Sequence, residues 1–538
     1  MLSHKLGFTN EISEPMTLAE IYSQTLLVDL KLCHLVQESK KMISFPFVGI
    51  IIILTPIVVY ILNLFRKHAI WKKAYESIPS PPCVPLMGNL HLLSSERDSF
   101  LRLLMATASK YREQSCFCIW YSIWPIVVLT NADGLEIFFS STKEITKSFE
   151  YKLVEPWLKT GLLTSKGNKW RTRRRILTPS FHDANLLQSF LIIFNEQSRI
   201  CTSRFETLSE QPIDMYPFIA ACTLDIICEA AMGTSCQAQV EKSEYVEAVA
   251  RYQIGDIIVQ RMTTPWMWPN FLFKLFPIGR EHEKLLKILH DFSRNIINNR
   301  AQQFGGNQLH SKRMAFLDTL LAKMHDEQLT MEDIQEEVDT FMFEGHDTTA
   351  AALNFACFLI ALHPDVQQKL HDEINRIFQD DLERACSMDD LKQMNYLECV
   401  IKESLRLLPS VPSIGREAQE DLTYNGHKIL AGQTCYILIK AIHLDPKYFP
   451  EPNKFNPDRF LPENSAQHSH HFAFVPFSAG TRNCIGQRFA MLEEKVFLST
   501  LLRKFSLTTT QTIEDIRLAE EIIMRAVDPI YITLKRRR

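Results

Sequence analysis

One short segment constrains this chain more than any other. Phe477-Ser-Ala-Gly480-Thr-Arg482-Asn-Cys484-Ile-Gly486 places a cysteine between glycines, behind an arginine, and directly ahead of a helical pattern running from Gln487. Gly480 and Gly486 permit tight backbone turns and the close approach of a large planar group. The amides of a helix start, with the positive end of the helix dipole, stabilise a thiolate. Arg482 can pair with an anionic group. A cysteine in a tight turn explains the one residue but not the combination. A chain of 538 residues can bury a core large enough to enclose a cofactor beside such a loop.

The other cysteines carry no comparable signal. The 13 cysteines include no C-x-x-C pair and no Cys/His cluster at zinc spacing. They read as small buried hydrophobes in a reducing compartment, and Cys116 and Cys118 as strand packing. A net charge of -3 gives no reason to expect nucleic acid as a partner.

Residues 43–65 read ISFPFVGIIIILTPIVVYILNLF, without a charge, which is enough to span a bilayer as a helix. Pro56 is compatible with such a helix. Arg66, Lys67, Lys72 and Lys73 follow, and the positive-inside rule then places the C-terminal part in the cytosol. Lys31, Lys40 and Lys41 on the other flank weaken that bias. The extension 1–42 lacks the order of a signal peptide, and a start at Met42 would give a compact signal anchor.

The chain therefore divides into an extension (1–42), a transmembrane anchor (43–65), a basic linker with a proline-rich hinge (66–89), and one large domain (90–538). Ile78-Pro-Ser-Pro-Pro-Cys-Val-Pro85 cannot continue a helix and makes a stiff, extended hinge. The large domain is expected to be mainly α with small β-sheets. Helical spacing runs over 281–300, 330–362, 391–408 and 484–505, with 330–362 apolar on most faces and so buried. Strands are expected within 115–129, 422–429, 434–439 and 530–534.

The segment around Cys484 resembles the haem-binding loop F-x-x-G-x-R-x-C-x-G of the cytochrome P450 superfamily. Further landmarks follow the family's order: Glu403-Ser-Leu-Arg406 matches E-x-x-R, and Pro457-Asp-Arg459-Phe460 matches P-x-R-F. Glu337 to Thr349, EVDTFMFEGHDTT, is similar to the signature of family four, with an insect-type pattern; Leu163-Thr-Ser and Thr178-Pro-Ser-Phe181-His182 fit it too. The resemblance covers roughly residue 79 to the C-terminus and implies the P450 fold. Its departures are Pro79-Ser-Pro-Pro, a variant of the usual hinge, and the extension.

The resemblance implies haem b with Cys484 as axial ligand, an arrangement whose thiolate pushes electron density onto iron and favours O–O cleavage. It implies that Arg482, Trp170, Arg174 and Arg416 hold propionates, that Phe477, Gly480 and Gly486 shape the loop, and that Glu403, Arg406 and Arg459 form a buried charge network. Gly345 would let the long helix pass close to the haem, and Asp347 with Thr348 would be the acid and alcohol that deliver protons to dioxygen. Glu344 stands where family members carry a glutamate esterified to a haem methyl; one turn from Thr348, it can face the same plane. His346, and the cluster His468, His470 and His471, read better as local packing or solvated side chains than as metal ligands. The spare arginines of Trp170 to Arg175 read as a docking patch for an acidic electron donor.

The implied activity is that of an NADPH-dependent monooxygenase on the cytosolic face of the endoplasmic reticulum membrane. NADPH-cytochrome P450 reductase would supply electrons, with cytochrome b5 as an accessory donor, and membrane lipid would surround the anchor. The substrate class implied is fatty acids or related chains, hydroxylated at the omega end. Oxidation of foreign apolar compounds is the main alternative. A peroxide-rearranging isomerase or dehydratase, or a haem sensor, would have no need of Asp347 and Thr348.

Overall fold

A computed structural model describes residues 45–537, apart from 144, 209, 252–253, 304–314, 327, 380, 382 and 465–469, and gives backbone alone at 45–53, 57, 250, 251 and 325. The extension, the alternative start at Met42 and His468 lie outside the described residues. The chain forms two compact units, one ending at Lys72 and one from Lys73 onward.

The apolar run falls on helix α1, Phe45–Ala74. No glycine or proline occurs between Pro56 and Pro79, so nothing interrupts the helix at the basic residues, and the expected linker is helical over its first part. Among the described residues no single helix is long and apolar enough to cross a membrane. Beyond α1 the proline-rich segment lies laced onto the body. Tyr75 donates to Gln433 at 3.0 Å. Asn89 donates to the Pro82 carbonyl at 2.9 Å and accepts from the Trp120 amide at 2.8 Å.

The second unit is mainly helical. Its framing elements are β1 (Cys116–Tyr121), β2 (Trp124–Leu129), α2 (Tyr151–Leu158), α3 (Gly167–His182), α4 (Ala184–Glu206), α5 (Tyr216–Ala230), α6 (Pro277–Gln303), α7 (Met331–Leu362), α8 (Asn395–Leu407), β3 (Ile414–Glu417), β4 (Thr434–Ile437), α9 (Gln487–Lys504), β5 (Leu518–Glu521) and β6 (Ile523–Ala526). Apolar helix α7 runs through the core, packed against α5, α6, α8 and α9. Its start is a capping box: Thr330 accepts from the Asp333 amide, and Asp333 reaches back to Thr330.

The principal sheet has the order β1-β2-β4-β3, with β2 and β4 parallel and the other pairs antiparallel. Cys116 and Cys118 are buried in β1, as strand packing requires. Small sheets elsewhere pair Leu422–Tyr424 with His427–Ile429, β5 with β6, and Tyr531–Arg536 with Pro212–Asp214 and Phe505–Thr508.

One expected helix is divided. Residues 391–408 contain the end of a short helix, Met388–Gln393, and then α8, with the break at Met394. The Glu373 carboxylate accepts from the Tyr396 and Leu397 amides at 2.7 and 2.9 Å. That anion satisfies orphan donors at a new helix start, which spacing along the sequence does not reveal.

Candidate active site

The loop before α9 is held by its backbone. The Cys484 amide donates to the Phe477 carbonyl at 2.9 Å. Gly480 adopts φ +69° and lies directly against the Phe139 carbonyl, so it serves the turn and does not line the cavity. Gly486 does line it, and a side chain there would meet only the Cys484 sulfur, at 3.9 Å. Arg482 donates to the carbonyls of Ile145, Leu162 and Ser165 at 3.0, 3.1 and 2.6 Å and lies 4.5 Å from the Trp170 ring. It thus ties the loop to α3 and to the segment before it.

Cys484 opens onto a large internal cavity. Burial, with Glu344 adding to it, pushes its thiol up to about 11, while the Gly486 and Gln487 amides and Arg174 oppose that rise. Desolvation outweighs the helix start that the sequence suggested would stabilise a thiolate. A metal ion coordinated at the sulfur would favour the thiolate against that burial.

The cavity is walled by Cys484, Ile485, Gly486 and Phe489 and by Phe343, Glu344, Gly345 and Thr348 of α7. The Thr348 hydroxyl donates to the Glu344 carbonyl at 2.5 Å, and the Thr348 carbonyl accepts from Ser410 at 2.8 Å. Glu344 is raised to about 7 by burial, with Lys147, Arg174 and Arg482 acting against it.

Two expectations for α7 change. A side chain at Gly345 would come within 2.6 Å of Ile227 Cδ1, so its bareness admits α5 as well as keeping the cavity clear. Asp347 does not line the cavity. It is buried in a two-point ion pair with Arg525 of β6, at 2.6 and 2.7 Å, and accepts from Tyr216 at 2.9 Å. Adjacent residues on a helix point about 100° apart, which separates the acid from the alcohol. His346 is also buried and stands edge-on to Tyr245 at 5.8 Å, which is the local packing expected of it.

Three cationic side chains line the same cavity, Lys147, Arg174 and Arg482, whereas the expected Arg416 is buried beside it and donates to the Gly415 carbonyl at 3.0 Å. Arg174 donates to the Asn483 carbonyl and side-chain oxygens at 2.8 and 2.7 Å. Burial holds Lys147 well below the usual ammonium range, helped by Arg416 and Arg482, and lowers Arg482 to about 9. Arg173, by contrast, is buried against Asp333 and Glu337, which leaves Arg171 and Arg175 as the exposed cations of that run. Lys147, Glu150 and Tyr151 are not evident in the sequence. They sit in an aperiodic stretch, where no spacing along the sequence marks them.

Behind the loop, Arg406 forks onto Glu403 at 2.7 and 2.9 Å, both fully buried, and Arg459 approaches Glu403 at 3.4 Å. The network is closed by the backbone. Arg406 donates to the carbonyls of His443, Pro452 and Lys454, and Glu403 accepts from the Asn456 amide.

These residues fit a haem. Its flat apolar ring suits the space over Gly486, its two carboxylate arms suit the mutually repelling cations, and its iron would favour the thiolate form of the Cys484 sulfur. Among the described residues no cluster of three His, Cys, Asp or Glu side chains could hold a separate metal ion.

The family model for cytochrome P450 matches residues 78–534. The chain belongs to the cytochrome P450 family, whose members are haem-dependent monooxygenases. Within it, the likeness is to family 4. Cytochrome P450 4V2 of Homo sapiens is 43% identical over 496 residues, which cover 89% of this chain and 94% of that protein. Cytochrome P450 4c21 of Blattella germanica is 41% identical, covering 91% of this chain and 98% of its own, and cytochrome P450 4c3 of Drosophila melanogaster is 38% identical, covering 90% and 94%.

Proposed function

We propose that the protein hydroxylates the omega end of fatty acids or related chains, taking electrons from NADPH through a reductase. The observation that carries this reading is the cavity: Cys484 on one wall, Glu344 and Thr348 on another, cations to one side, and a lining that is mostly apolar elsewhere. When bound, the haem supplies activation of dioxygen and insertion of one of its atoms. Cys484 is its sulfur ligand. Arg174, Arg416 and Arg482, joined by Lys147, neutralise its carboxylates, with Trp170 stacked on Arg482. The apolar walls from Ile258, Val259, Ile414 and Ile523 hold the chain and exclude water. Thr348 presents its hydroxyl at the reacting face. Asp347 acts from behind it, through its contact with Arg525 and Tyr216. Helix α1 anchors the protein in the endoplasmic reticulum membrane with the second unit cytosolic, and Arg171, Arg175 and Arg488 offer exposed charge to the reductase, with cytochrome b5 as an accessory donor. Turnover of a chain-length series of fatty acids with NADPH and reductase tests the reading: product hydroxylated at the chain end supports it, and product confined to unrelated foreign compounds refutes it.

Two acidic residues of α7 can be tested separately. Glu344 is buried without a full ion pair, a costly state that protonation or esterification relieves. Part of the haem should therefore resist extraction by acidic organic solvent from turnover-exposed enzyme, and Glu344→Ala should release all of it; complete extraction from the unaltered protein refutes the ester. Asp347→Asn breaks the ion pair to Arg525 behind Thr348 and should lower product formation by about 10²-fold, the low end of what a proton relay contributes, while NADPH consumption persists. Unchanged product per NADPH would remove Asp347 from proton delivery.

A further inference from the structure

Asp347 stands behind Thr348 with both carboxylate oxygens on Arg525, so it can pass a proton forward only by loosening that pair. A second carboxylate lies on the far side of the same guanidinium. β5 and β6 form an antiparallel hairpin in which Arg525 pairs with Ala519. Glu521, two residues on from Ala519, shares its face of the hairpin. Glu521 Oε1 accepts from Arg97 Nε at 2.8 Å and from a second nitrogen of that side chain. Its Oε2 has no hydrogen-bond partner among the described residues and lies 3.6 Å from Arg525 Nε. Glu521, Arg525 and Asp347 are buried, while the Arg97 side chain is 22% exposed. Arg97, Glu521, Arg525 and Asp347 thus make a row of alternating charge from solvent to the residue behind Thr348.

Taking one partner from a buried ion pair is costly because it leaves an uncompensated charge. Were Asp347 the only anion near Arg525, turning away would leave such a charge. Tyr216 accepts from Arg525 and donates to Asp347, but its neutral hydroxyl cannot stand in for a carboxylate. Glu521 can. Its second oxygen is unengaged, and a closure of roughly 0.7 Å from the 3.6 Å separation brings Arg525 Nε into ordinary hydrogen-bond range.

We propose that Glu521 is a positioning residue for proton delivery: it is the second anion of a guanidinium shared with Asp347, and it takes up Arg525 when Asp347 turns toward Thr348. The inference rests on the proton-delivering reading of Asp347 and deepens it. Two measurements on the holoenzyme test it. In a crystal structure of Asp347→Asn, Arg525 Nε should close onto Glu521 Oε2, to about 2.9 Å; Arg525 still at the longer separation overturns the proposal. In turnover of a fatty acid, Glu521→Gln, whose amide oxygen can still serve Arg97, should lower product per NADPH about tenfold, the scale of one hydrogen bond to a charged group. The solvent isotope effect on product formation should rise, with substrate binding and the thiolate-type spectrum unchanged. Added to Asp347→Asn, the same change should lower product per NADPH no further, because no Asp347 is left to release. An equal loss in both backgrounds, or a lower denaturation midpoint with product per NADPH unchanged, marks a structural pin between the hairpin and α7 and overturns the proposal. Unchanged product per NADPH in Asp347→Asn itself overturns the proton role of Asp347 and this inference together, while omega hydroxylation stands.

Discussion

Cys484→Ser is expected to abolish monooxygenase activity, by at least about 10³-fold, or about 4 kcal/mol of barrier. Serine keeps the size and the loop, whose geometry depends on the Cys484 amide and not on its side chain. What is lost is a polarizable anion. Burial and Glu344 both raise the thiol, and a bound haem iron would favour its ionised form. An alcohol, which ionises far less readily than a thiol, would stay neutral there. The variant should fold with unchanged helix content and lack the thiolate signature in the reduced carbon monoxide complex. A thiolate-type spectrum in Cys484→Ser would show that another group ligates the iron.

Arg406→Ala should be strongly destabilising. It removes one partner of a fully buried pair and leaves the Glu403 carboxylate with the Asn456 amide and the longer Arg459 contact. Breaking such a pair from one side costs about 3–5 kcal/mol, a large share of the roughly 5–15 kcal/mol that holds a protein folded. The three backbone carbonyls that Arg406 serves would also lose their donor. The denaturation midpoint should fall sharply and haem should be poorly retained, because this network backs the loop that carries Cys484. Glu403→Gln, which keeps the hydrogen-bonding shape, should cost less. Equal stability in Arg406→Ala and the unaltered protein would show that the network is ornamental.

What the sequence reveals depends on whether a residue's role is local. The turn at Gly480, the capping box at Thr330 and the apolar stripe of α7 are short-range patterns, legible along the chain itself. Glu403 and Arg406 lie one turn apart, so their pairing could be read as well. The partner of Asp347 could not be: Arg525 lies far along the chain and meets it only because β6 folds against α7. Adjacency in sequence joined Asp347 to Thr348, whereas the helix turns them apart. Lys147 was hidden for a different reason, since a lysine in an aperiodic stretch looks solvated until tertiary packing buries it. The division at Met394 likewise depends on Glu373, a cap supplied from another helix.

Incubating the enzyme with reductase, NADPH, a medium-chain substrate and isotopically heavy dioxygen tests the central claim most directly. The account predicts one heavy oxygen atom in the product, at the omega carbon, and no product without NADPH. Unlabelled product, or product formed from an organic peroxide with no need of NADPH, would contradict it.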